Sequence, residues 1–188
     1  MKEERVALVT GGNKGIGLEV SRQLGMAGVR VVIGARDVDR GTTAAAELKS
    51  QGIDAFCVQL DVTDERSITA AAQIIAETYG RLDILVNNAG IFDFADAPPS
   101  RAAIDAVRRV MEVNFIGALA VTQAVLPLLS TSPAGRIVNV SSSLGSLTLN
   151  GDPTSTYYSQ QFIGYNASKA SLNMLTIQLH QVLIATEN

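Results

Sequence analysis

The chain alternates short apolar runs with longer stretches that have helical periodicity. The runs RVALVT, RVVIGA, DAFCVQL, LDILVNN and GRIVNVSS are rich in β-branched residues and are typical of strands buried on both faces. Helical spacing extends between them over residues 15–27, 38–50, 64–79 and 101–130, and the last stretch is long enough for two helices. We therefore predict an α/β fold in which a parallel sheet carries helices on both faces.

Length and composition indicate one globular domain over residues 1–188. The 188 residues are 47% hydrophobic and 18% charged with a net charge of -3, which is ordinary for a soluble protein and provides no basic excess for nucleic acid. No linker, repeat or low-complexity segment divides the chain. The charged start MKEER leads directly into a strand and no uninterrupted apolar run reaches membrane-spanning length, so we expect a cytoplasmic protein with no secretory signal and no membrane segment.

The residues that build zinc sites and hydrolytic triads are scarce. Cys57 is the single cysteine and His180 is the single histidine, which excludes a zinc cluster or a Ser-His-Asp triad built from them. We expect no metal, and we expect Cys57 to lie in the core as part of the apolar run AFCVQL.

Two segments, FDFADAPPS and SLTLNGDPTSTYYSQQ, carry proline and small polar residues and are predicted to be loops near the site. The second segment contains Tyr157 and Tyr158, which have no basic residue at helical spacing. We expect both tyrosines to line a substrate loop.

A glycine-rich turn, TGGNKGIG, connects the first strand to the first helix. Glycines permit a tight turn and let the backbone approach a diphosphate, whose charge then lies on the exposed N–H groups of the following helix. The spacing of Gly11, Gly15 and Gly17 departs from the G-x-G-x-x-G pattern of dinucleotide-binding proteins, and a plain glycine turn is the alternative. Its position at the first β-to-α turn of a parallel-sheet series favours phosphate binding.

Tyr165 and Lys169 are four residues apart in YNASK, so a helix places them on the same face. An ammonium about 4 Å from a phenolate stabilises it by about 4 kcal/mol at an effective dielectric of about 20, which is enough to allow proton transfer near neutral pH. An ordinary helix start with a solvated lysine is the alternative, and the pair needs further residues to support a catalytic role.

Six motifs together resemble those of the short-chain dehydrogenase/reductase family. They are TGGNKGIG (10–17), LDVTD (60–64), NNAG (87–90), VNFIGA (113–118), VNVSSSLGS (138–146) and YNASK (165–169), in the order and spacing of that family and most like its carbonyl-reductase-type members. The resemblance extends from the first strand to about residue 180. It implies a Rossmann-type doubly wound parallel sheet in the order 3-2-1-4-5, with the glycine turn, Asn88, Ser142 and Tyr165 at the carboxyl ends of the strands.

The resemblance implies a catalytic tetrad of Asn114, Ser142, Tyr165 and Lys169. Tyr165 would exchange a proton with the substrate oxygen, Lys169 would stabilise the phenolate and bind the nicotinamide ribose, and Ser142 would hold the substrate oxygen. Asn114, at a break between helices, would hold a water that links Lys169 to solvent. Among Ser141, Ser142 and Ser143 the family pattern selects the serine three residues before Gly145, which is Ser142.

The resemblance also implies a nicotinamide dinucleotide as cofactor. Its binding residues would be Gly11, Asn13, Lys14, Gly15, Ile16, Gly17, Arg36, Asp61, Val62, Asn88, Ala89 and Gly90, together with Tyr165 and Lys169. Ala35 takes the position of the acid that binds both ribose hydroxyls in NAD-preferring relatives, and Arg36 and Lys14 provide two cations for a 2′-phosphate. Asp37 leaves NAD open, since it lies where an NAD-binding acid is expected, but the sequence favours NADP.

The expected function is NADPH-dependent reduction of a ketone or aldehyde, or the reverse oxidation of an alcohol. The alternative is a non-catalytic dinucleotide-binding protein. Substrates would be small molecules, and the apolar stretch VNFIGALAVTQAVLPLL favours a homodimer through the helices after the fourth and fifth strands. The family would continue beyond HQVLIATEN into two further strands, so we expect a C-terminally incomplete form that binds NADPH weakly and reduces carbonyls slowly or not at all. A natural short form is the alternative.

Overall fold

The computed structural model describes residues 5–185, which contain five strands. These are β1 (Val6–Thr10), β2 (Arg30–Ala35), β3 (Ala55–Gln59), β4 (Ile84–Asn87) and β5 (Arg136–Asn139). They form one sheet in the order β3-β2-β1-β4-β5, which confirms the predicted order. The doubly wound α/β fold expected from the alternation is therefore confirmed.

The centre of the sheet is parallel and apolar. β1 pairs with β2 from Val6 opposite Arg30 to Thr10 opposite Gly34, and it pairs with β4 on its other side. Every residue of β1 is buried, as expected for a strand with helices on both faces. Because parallel strands end at the same edge, the residues that follow β1, β2, β3 and β4 come together at one edge of the sheet.

The helices follow the predicted stretches closely in the first half of the chain. They are α1 (Gly15–Met26), α2 (Val38–Ser50), α3 (Glu65–Tyr79), α4 (Ile104–Met111), α5 (Gly117–Leu129), α6 (Leu147–Gly151) and α7 (Ile163–Ala185). Aspartates cap the N-termini of α2 and α3: Asp37 accepts from the Arg40 backbone N–H, and Asp64 accepts from that of Arg66. These caps explain why both helices begin where they do.

Two predictions of local structure were wrong, and a third, the break between helices at Asn114, takes a different form. β5 is not buried on both faces: it lies at the edge of the described sheet, and Val138 is 47% exposed. The second predicted loop contains the one-turn helix α6, at residues 147–151. The break expected at Asn114 is a π-helical turn, Glu112–Ile116, that joins α4 to α5 without leaving the helical conformation.

The apolar stretch noted in the sequence lies in the helical run Ile104–Leu129. Its most apolar 18-residue window has a mean hydropathy of 1.5, and by length and composition alone this run could cross a membrane. Val110, Val121 and Val125 are each at most 2% exposed, so part of this apolar surface packs in the protein core. Core helices of soluble proteins commonly have such a composition.

The described chain divides into two compact units. The first unit contains residues 5–89 and 120–138, and the second contains residues 90–119 and 139–185. The first includes β1 to β4 and the glycine turn, whereas the second includes the π-helical turn and α7. A single domain over residues 1–188 stays a prediction.

Candidate active site

The glycine turn of the first unit is fixed by hydrogen bonds between Thr10 and Asn88. The buried Thr10 hydroxyl accepts from the backbone N–H groups of Asn88 at 3.0 Å and Ala89 at 2.9 Å. In return, Asn88 Nδ2 donates to the carbonyl oxygens of Thr10 at 2.9 Å and Gly11 at 3.2 Å. These hydrogen bonds join the ends of β1 and β4, and they fix the start of the glycine turn at Thr10 and Gly11.

Gly17 allows the first turn of α1 to pack directly on this network. A Cβ atom on Gly17 would lie 2.5 Å from the Gly11 carbonyl oxygen and closer still to Asn88 Nδ2, so no side chain fits there. Gly11 and Gly15 adopt positive φ angles of 62° and 53°. The backbone of the turn is therefore shaped by glycine at the positions that the sequence singled out.

The N-terminus of α1 presents backbone N–H groups without a side-chain cap. Lys14 is the N-cap residue and makes no capping hydrogen bond, and Ile16 in the first turn is 66% exposed. Lys14 is exposed, and its side chain forms no hydrogen bond or ion pair with any of residues 5–185. A diphosphate group could bind here, because it would accept from the uncapped N–H groups and its negative charge would lie near the positive end of the helix dipole and the Lys14 ammonium.

The residues at the end of β2 differ in burial and in the partners of their side chains. Ala35 is fully buried at the strand end, whereas Arg36 is exposed and its side chain has no partner among the described residues. Asp37 is occupied: it caps α2 through the Arg40 backbone N–H at 3.1 Å and forms an ion pair with Arg40 Nε at 3.3 Å. Of the two charged residues, Arg36 is the one whose side chain has no partner among the described residues.

Asp61 and Val62 follow β3 at the same edge of the sheet. The Asp61 carboxylate accepts from the Thr63 backbone N–H at 3.0 Å and from the Thr63 hydroxyl at 2.8 Å, which closes a tight turn. Val62 is buried. The first unit thus brings Gly11, Asn13, Lys14, Gly15, Ile16, Gly17, Arg36, Asp61, Val62, Asn88 and Ala89 to the carboxyl ends of its parallel strands, and Gly90 follows as an exposed residue.

In the second unit, Tyr165 and Lys169 lie on the first turns of α7. Lys169 is only 5% exposed, its Nζ donates to the Val140 carbonyl oxygen at 2.8 Å, and the same Nζ is 5.7 Å from the centre of the Tyr165 ring. Burial lowers the pKa of the Lys169 ammonium because the charged form loses hydration. The solvated lysine considered from the sequence is wrong: this lysine is buried beside the tyrosine.

Gly145 lets the serine-rich turn approach α7. A Cβ atom on Gly145 would lie 2.7 Å from the carbonyl carbon of Lys169, so the turn touches the helix backbone there. Ser142 is the N-cap of the short 3-10 helix Ser143–Gly145, and its half-buried hydroxyl accepts from the Leu144 N–H at 3.2 Å. Ser141 and Ser143 are exposed, and the Ser141 hydroxyl donates to the Lys169 carbonyl oxygen at 3.5 Å.

Asn114 is buried in the π-helical turn and is connected to the backbone of Tyr165. Its Nδ2 donates to the Ile91 carbonyl oxygen at 2.9 Å and to Ser168 Oγ at 3.1 Å, while its Oδ1 accepts from the Ile91 N–H at 2.8 Å. The Ser168 hydroxyl in turn donates to the Tyr165 carbonyl oxygen at 2.7 Å. Both side-chain donors of Asn114 are used, so a water at this position would have to donate to an oxygen of Asn114.

A cavity of about 440 Å³ lies in the second unit, beside α7. Its walls are mainly apolar, with several amide side chains: Pro99, Leu144, Leu147, Asn150, Tyr158, Gln160, Gln161, Phe162, Ile163, Asn166, Ala167 and Ala170. Tyr158 lines this cavity, as expected for a residue of the substrate loop, whereas Tyr157 does not.

Sequence reasoning missed Thr10, Ser168 and Asp96. Thr10 and Ser168 stand inside the motifs TGGNKGIG and YNASK, but nothing in their local spacing shows that their hydroxyls join distant segments. Asp96 lies in the first predicted loop, and its carboxylate accepts from the backbone N–H groups of Gly164 and Tyr165. An aspartate in a proline-containing loop ahead of a helix without its own polar N-cap is the one indication that the sequence offered.

Comparison with known proteins agrees with the architecture and the motifs. The family described as short chain dehydrogenase matches residues 5–187. Salutaridine reductase of Papaver bracteatum is 39% identical over 173 residues, which cover 76% of this chain and 56% of that protein. Human carbonyl reductase [NADPH] 1 is 46% identical over 139 residues, which cover 73% of this chain and 48% of that protein.

Solved structures show the same fold. The Pseudomonas aeruginosa RhlG/NADP active-site complex superposes with a TM-score of 0.83 at 34% identity, covering 96% of this chain and 68% of that one. A metagenomic short-chain oxidoreductase in complex with NADP gives a TM-score of 0.81 at 31% identity and covers 96% of this chain and 77% of that one. The chain spans about half the length of these two curated relatives. The chain belongs to the short-chain dehydrogenase family.

Proposed function

We propose that this protein is an NADPH-dependent oxidoreductase that reduces a ketone or aldehyde, or oxidises the corresponding alcohol. The observation that carries the proposal is the buried Lys169, whose ammonium lies 5.7 Å from the centre of the Tyr165 ring on the same helix. Burying the Lys169 ammonium beside the Tyr165 phenol costs hydration energy. Stabilising the phenolate during proton transfer is a function that would explain such a cation at this position.

The four tetrad residues have distinct roles in the proposed reaction. Bound NADPH supplies the hydride. Tyr165 donates its hydroxyl proton to the carbonyl oxygen, and Lys169 stabilises the phenolate that remains. Ser142 donates a hydrogen bond to the same substrate oxygen, since its hydroxyl hydrogen is left available when its oxygen accepts from Leu144. Asn114 holds the Ile91 backbone and, through Ser168, the carbonyl of Tyr165.

The preference for NADP rests on the residues after β2. Arg36 is exposed and unpaired among the described residues, and its planar guanidinium suits a 2′-phosphate. Asp37, the residue that kept NAD open, already caps α2 and pairs with Arg40. Ala35 provides no carboxylate for ribose hydroxyls. Two related structures are described as NADP complexes, and one relative as an NADPH enzyme, which supports the same choice.

We also propose a cytoplasmic homodimer that pairs through the helical run 104–129 and α7. Apolar side chains stand exposed on both, among them Ile104 at 63%, Met174 at 53% and Ile177 at 53%. Such side chains are favourable at a two-fold interface between copies of one chain.

The test of the proposed function is the variant Tyr165→Phe, assayed by NADPH oxidation with a panel of aldehydes and ketones. Removing the hydroxyl should lower kcat by about 10²- to 10⁴-fold while the variant still binds NADPH. Tyr157→Phe, in the preceding loop, is the matched control and should retain activity. A wild-type chain that binds NADPH but turns over no carbonyl would favour the non-catalytic dinucleotide-binding alternative.

A further inference from the structure

The N-terminus of α7 is capped by a residue from a distant part of the chain. Asp96 is 6% exposed, and its Oδ1 accepts from the Gly164 N–H at 3.0 Å while its Oδ2 accepts from the Tyr165 N–H at 2.8 Å. The neighbouring Ala97 carbonyl oxygen accepts from the Ile163 N–H at 3.2 Å. The first three N–H groups of α7 are therefore bonded by residues 96 and 97, more than sixty positions earlier in the chain.

The segment that carries Asp96 is anchored at several other points within the same unit. Its first residue, Ile91, is held through both backbone groups by the Asn114 amide. Arg109 forms two hydrogen bonds to Asp93 Oδ2, at 2.9 Å and 2.7 Å. We call residues 91–97 the capping loop. Because Asn114 and Arg109 fix it, the loop has a defined position from which Asp96 can hold the helix.

The capping loop also contacts the side chain of Tyr165. The Phe92 ring packs edge-on against the Tyr165 ring with a centroid distance of 5.7 Å, and it packs on Phe162 at 4.9 Å. Tyr165 is thus held twice from this loop, at its backbone N–H by Asp96 and at its ring by Phe92. Ser168, bonded to Asn114, holds its carbonyl.

A carboxylate suits this role better than any other side chain of its size. Its two oxygens accept from Gly164 and Tyr165 separately, and Oδ1 also accepts from the Ala97 N–H at 2.9 Å. An amide of the same shape has only one oxygen, so its NH₂ group would face one of these N–H groups. The negative charge also lies at the positive end of the α7 dipole, which stabilises the helix start.

We propose that Asp96 is a positioning residue for Tyr165: it fixes the first turn of α7 so that the phenol keeps one orientation for proton transfer. The inference rests on the proposed function, because it assigns Asp96 a part in that same reaction. Small displacements of a reacting group slow a reaction strongly, and a shift of about 1 Å can cost about 100-fold in rate.

The test compares Asp96→Asn and Asp96→Ala with wild type. We expect kcat for NADPH oxidation to fall by about 10- to 100-fold, with the alanine variant slower than the asparagine variant, which keeps one acceptor. KM for the carbonyl substrate and the dissociation constant for NADPH should change less than about threefold, because Asp96 touches neither ligand in the proposed reaction.

Amide hydrogen exchange supplies a readout that does not depend on turnover. The N–H groups of Gly164 and Tyr165 should exchange about tenfold faster in both variants, while N–H groups in the middle of α7 keep their protection. Asp152→Asn is the matched control, since Asp152 bonds the Thr154 N–H in an exposed loop of the same unit. It should leave kcat and the exchange of Gly164 and Tyr165 unchanged.

Three outcomes would overturn the proposal: unchanged kcat in Asp96→Asn, an equal loss in Asp152→Asn, or unchanged exchange at Gly164 and Tyr165. If Asp96→Ala does not fold, the isosteric Asp96→Asn variant decides alone. If wild type shows no carbonyl reduction, the proposed function fails. Protection from exchange at the Gly164 and Tyr165 N–H groups that is present in wild type and lost in Asp96→Asn would then show that Asp96 still fixes the helix start.

Discussion

The glycine turn of the first unit and the catalytic cluster of the second unit use their charged residues in opposite ways. Lys14 and Arg36 are exposed and have no partner among residues 5–185, while the backbone of the glycine turn that contains Lys14 is fixed by Thr10 and Asn88. In the second unit Lys169 is buried, and its ammonium is bonded to the Val140 carbonyl oxygen. In the first unit a fixed backbone carries charged side chains that form no hydrogen bond or ion pair with the described residues, whereas in the second unit the charged side chain of Lys169 is packed in the interior.

This difference predicts different costs for mutation. A residue with no partner can be exchanged with little effect on stability, so Arg36 can change cofactor selectivity alone. A buried residue that is bonded on several sides, such as Lys169 or Asn114, affects folding and chemistry together. The predictions below test this contrast, beginning with the largest expected effect.

Lys169→Met removes the buried ammonium of the second unit. We expect the rate of NADPH oxidation to fall by about 10²- to 10³-fold, because the phenolate of Tyr165 loses its stabilising charge. Steady-state kinetics with a saturating cofactor measures the loss. Lys49→Met, at the end of α2 in the first unit, is a matched control on an exposed lysine and should keep full activity.

The free energy of unfolding of wild type should also depend on pH differently from that of Lys169→Met. Burial lowers the pKa of Lys169 in the folded state, so between that value and 10.5 the unfolded chain binds a proton that the folded chain has released. The free energy of unfolding of wild type should therefore rise with pH relative to Lys169→Met, up to about pH 10.5. Denaturant titrations across this range check the sign, and a difference that does not change with pH would show that the ammonium is hydrated in the folded state.

The sequence predicted the first unit more completely than the second for a physical reason. The strands β1 to β4 are short apolar runs whose pairing follows from the alternation, and the cap of α2 at Asp37 is a local interaction. In the second unit the decisive contacts are distant: Asp96 bonds N–H groups 68 and 69 residues away, and Asn114 bonds Ser168 at a separation of 54. Apart from the start of α7, which lacks its own polar N-cap, no local pattern points to such pairs.

The errors also have physical causes. β5 has the apolar pair Ile137 and Val138 at its centre, as a short buried strand would, and only the sheet shows that it lies at an edge. The helix α6, with the sequence LTLNG, is one turn long and ends at Asn-Gly-Asp-Pro, which are turn residues. The π-helical turn at Asn114 depends on backbone hydrogen bonds that residue types alone do not determine.

Gly17→Ala tests the rigid backbone of the first unit. The added methyl group would overlap the Gly11 carbonyl oxygen and Asn88 Nδ2, so we expect a loss of about 1–3 kcal/mol in the free energy of unfolding and weaker NADPH binding. Gly151→Ala is the matched control, because its added Cβ would meet no atom within 4 Å apart from its chain neighbours and its own helix backbone, and it should change stability by less than about 0.5 kcal/mol. Equal effects of the two substitutions would contradict the close packing inferred at Gly17.

The double variant Ala35→Asp, Arg36→Asp tests the exposed charge that follows β2. Of its two changes, Arg36→Asp should have the smaller effect on the fold, because Ala35 is fully buried. A 2′-phosphate would meet carboxylates in place of a guanidinium, so the dissociation constant for NADPH should rise by about 10- to 100-fold while that for NADH falls or stays level. Since Arg36 has no described partner, Arg36→Asp alone should leave the unfolding midpoint unchanged, and any loss of stability in the double variant should come from the buried Ala35 position. Titration of cofactor fluorescence with both dinucleotides gives the two constants. An unchanged preference for NADPH in the double variant would mean that Arg36 does not bind the 2′-phosphate, and Lys14→Ala would then show whether the second cation of this unit binds it instead.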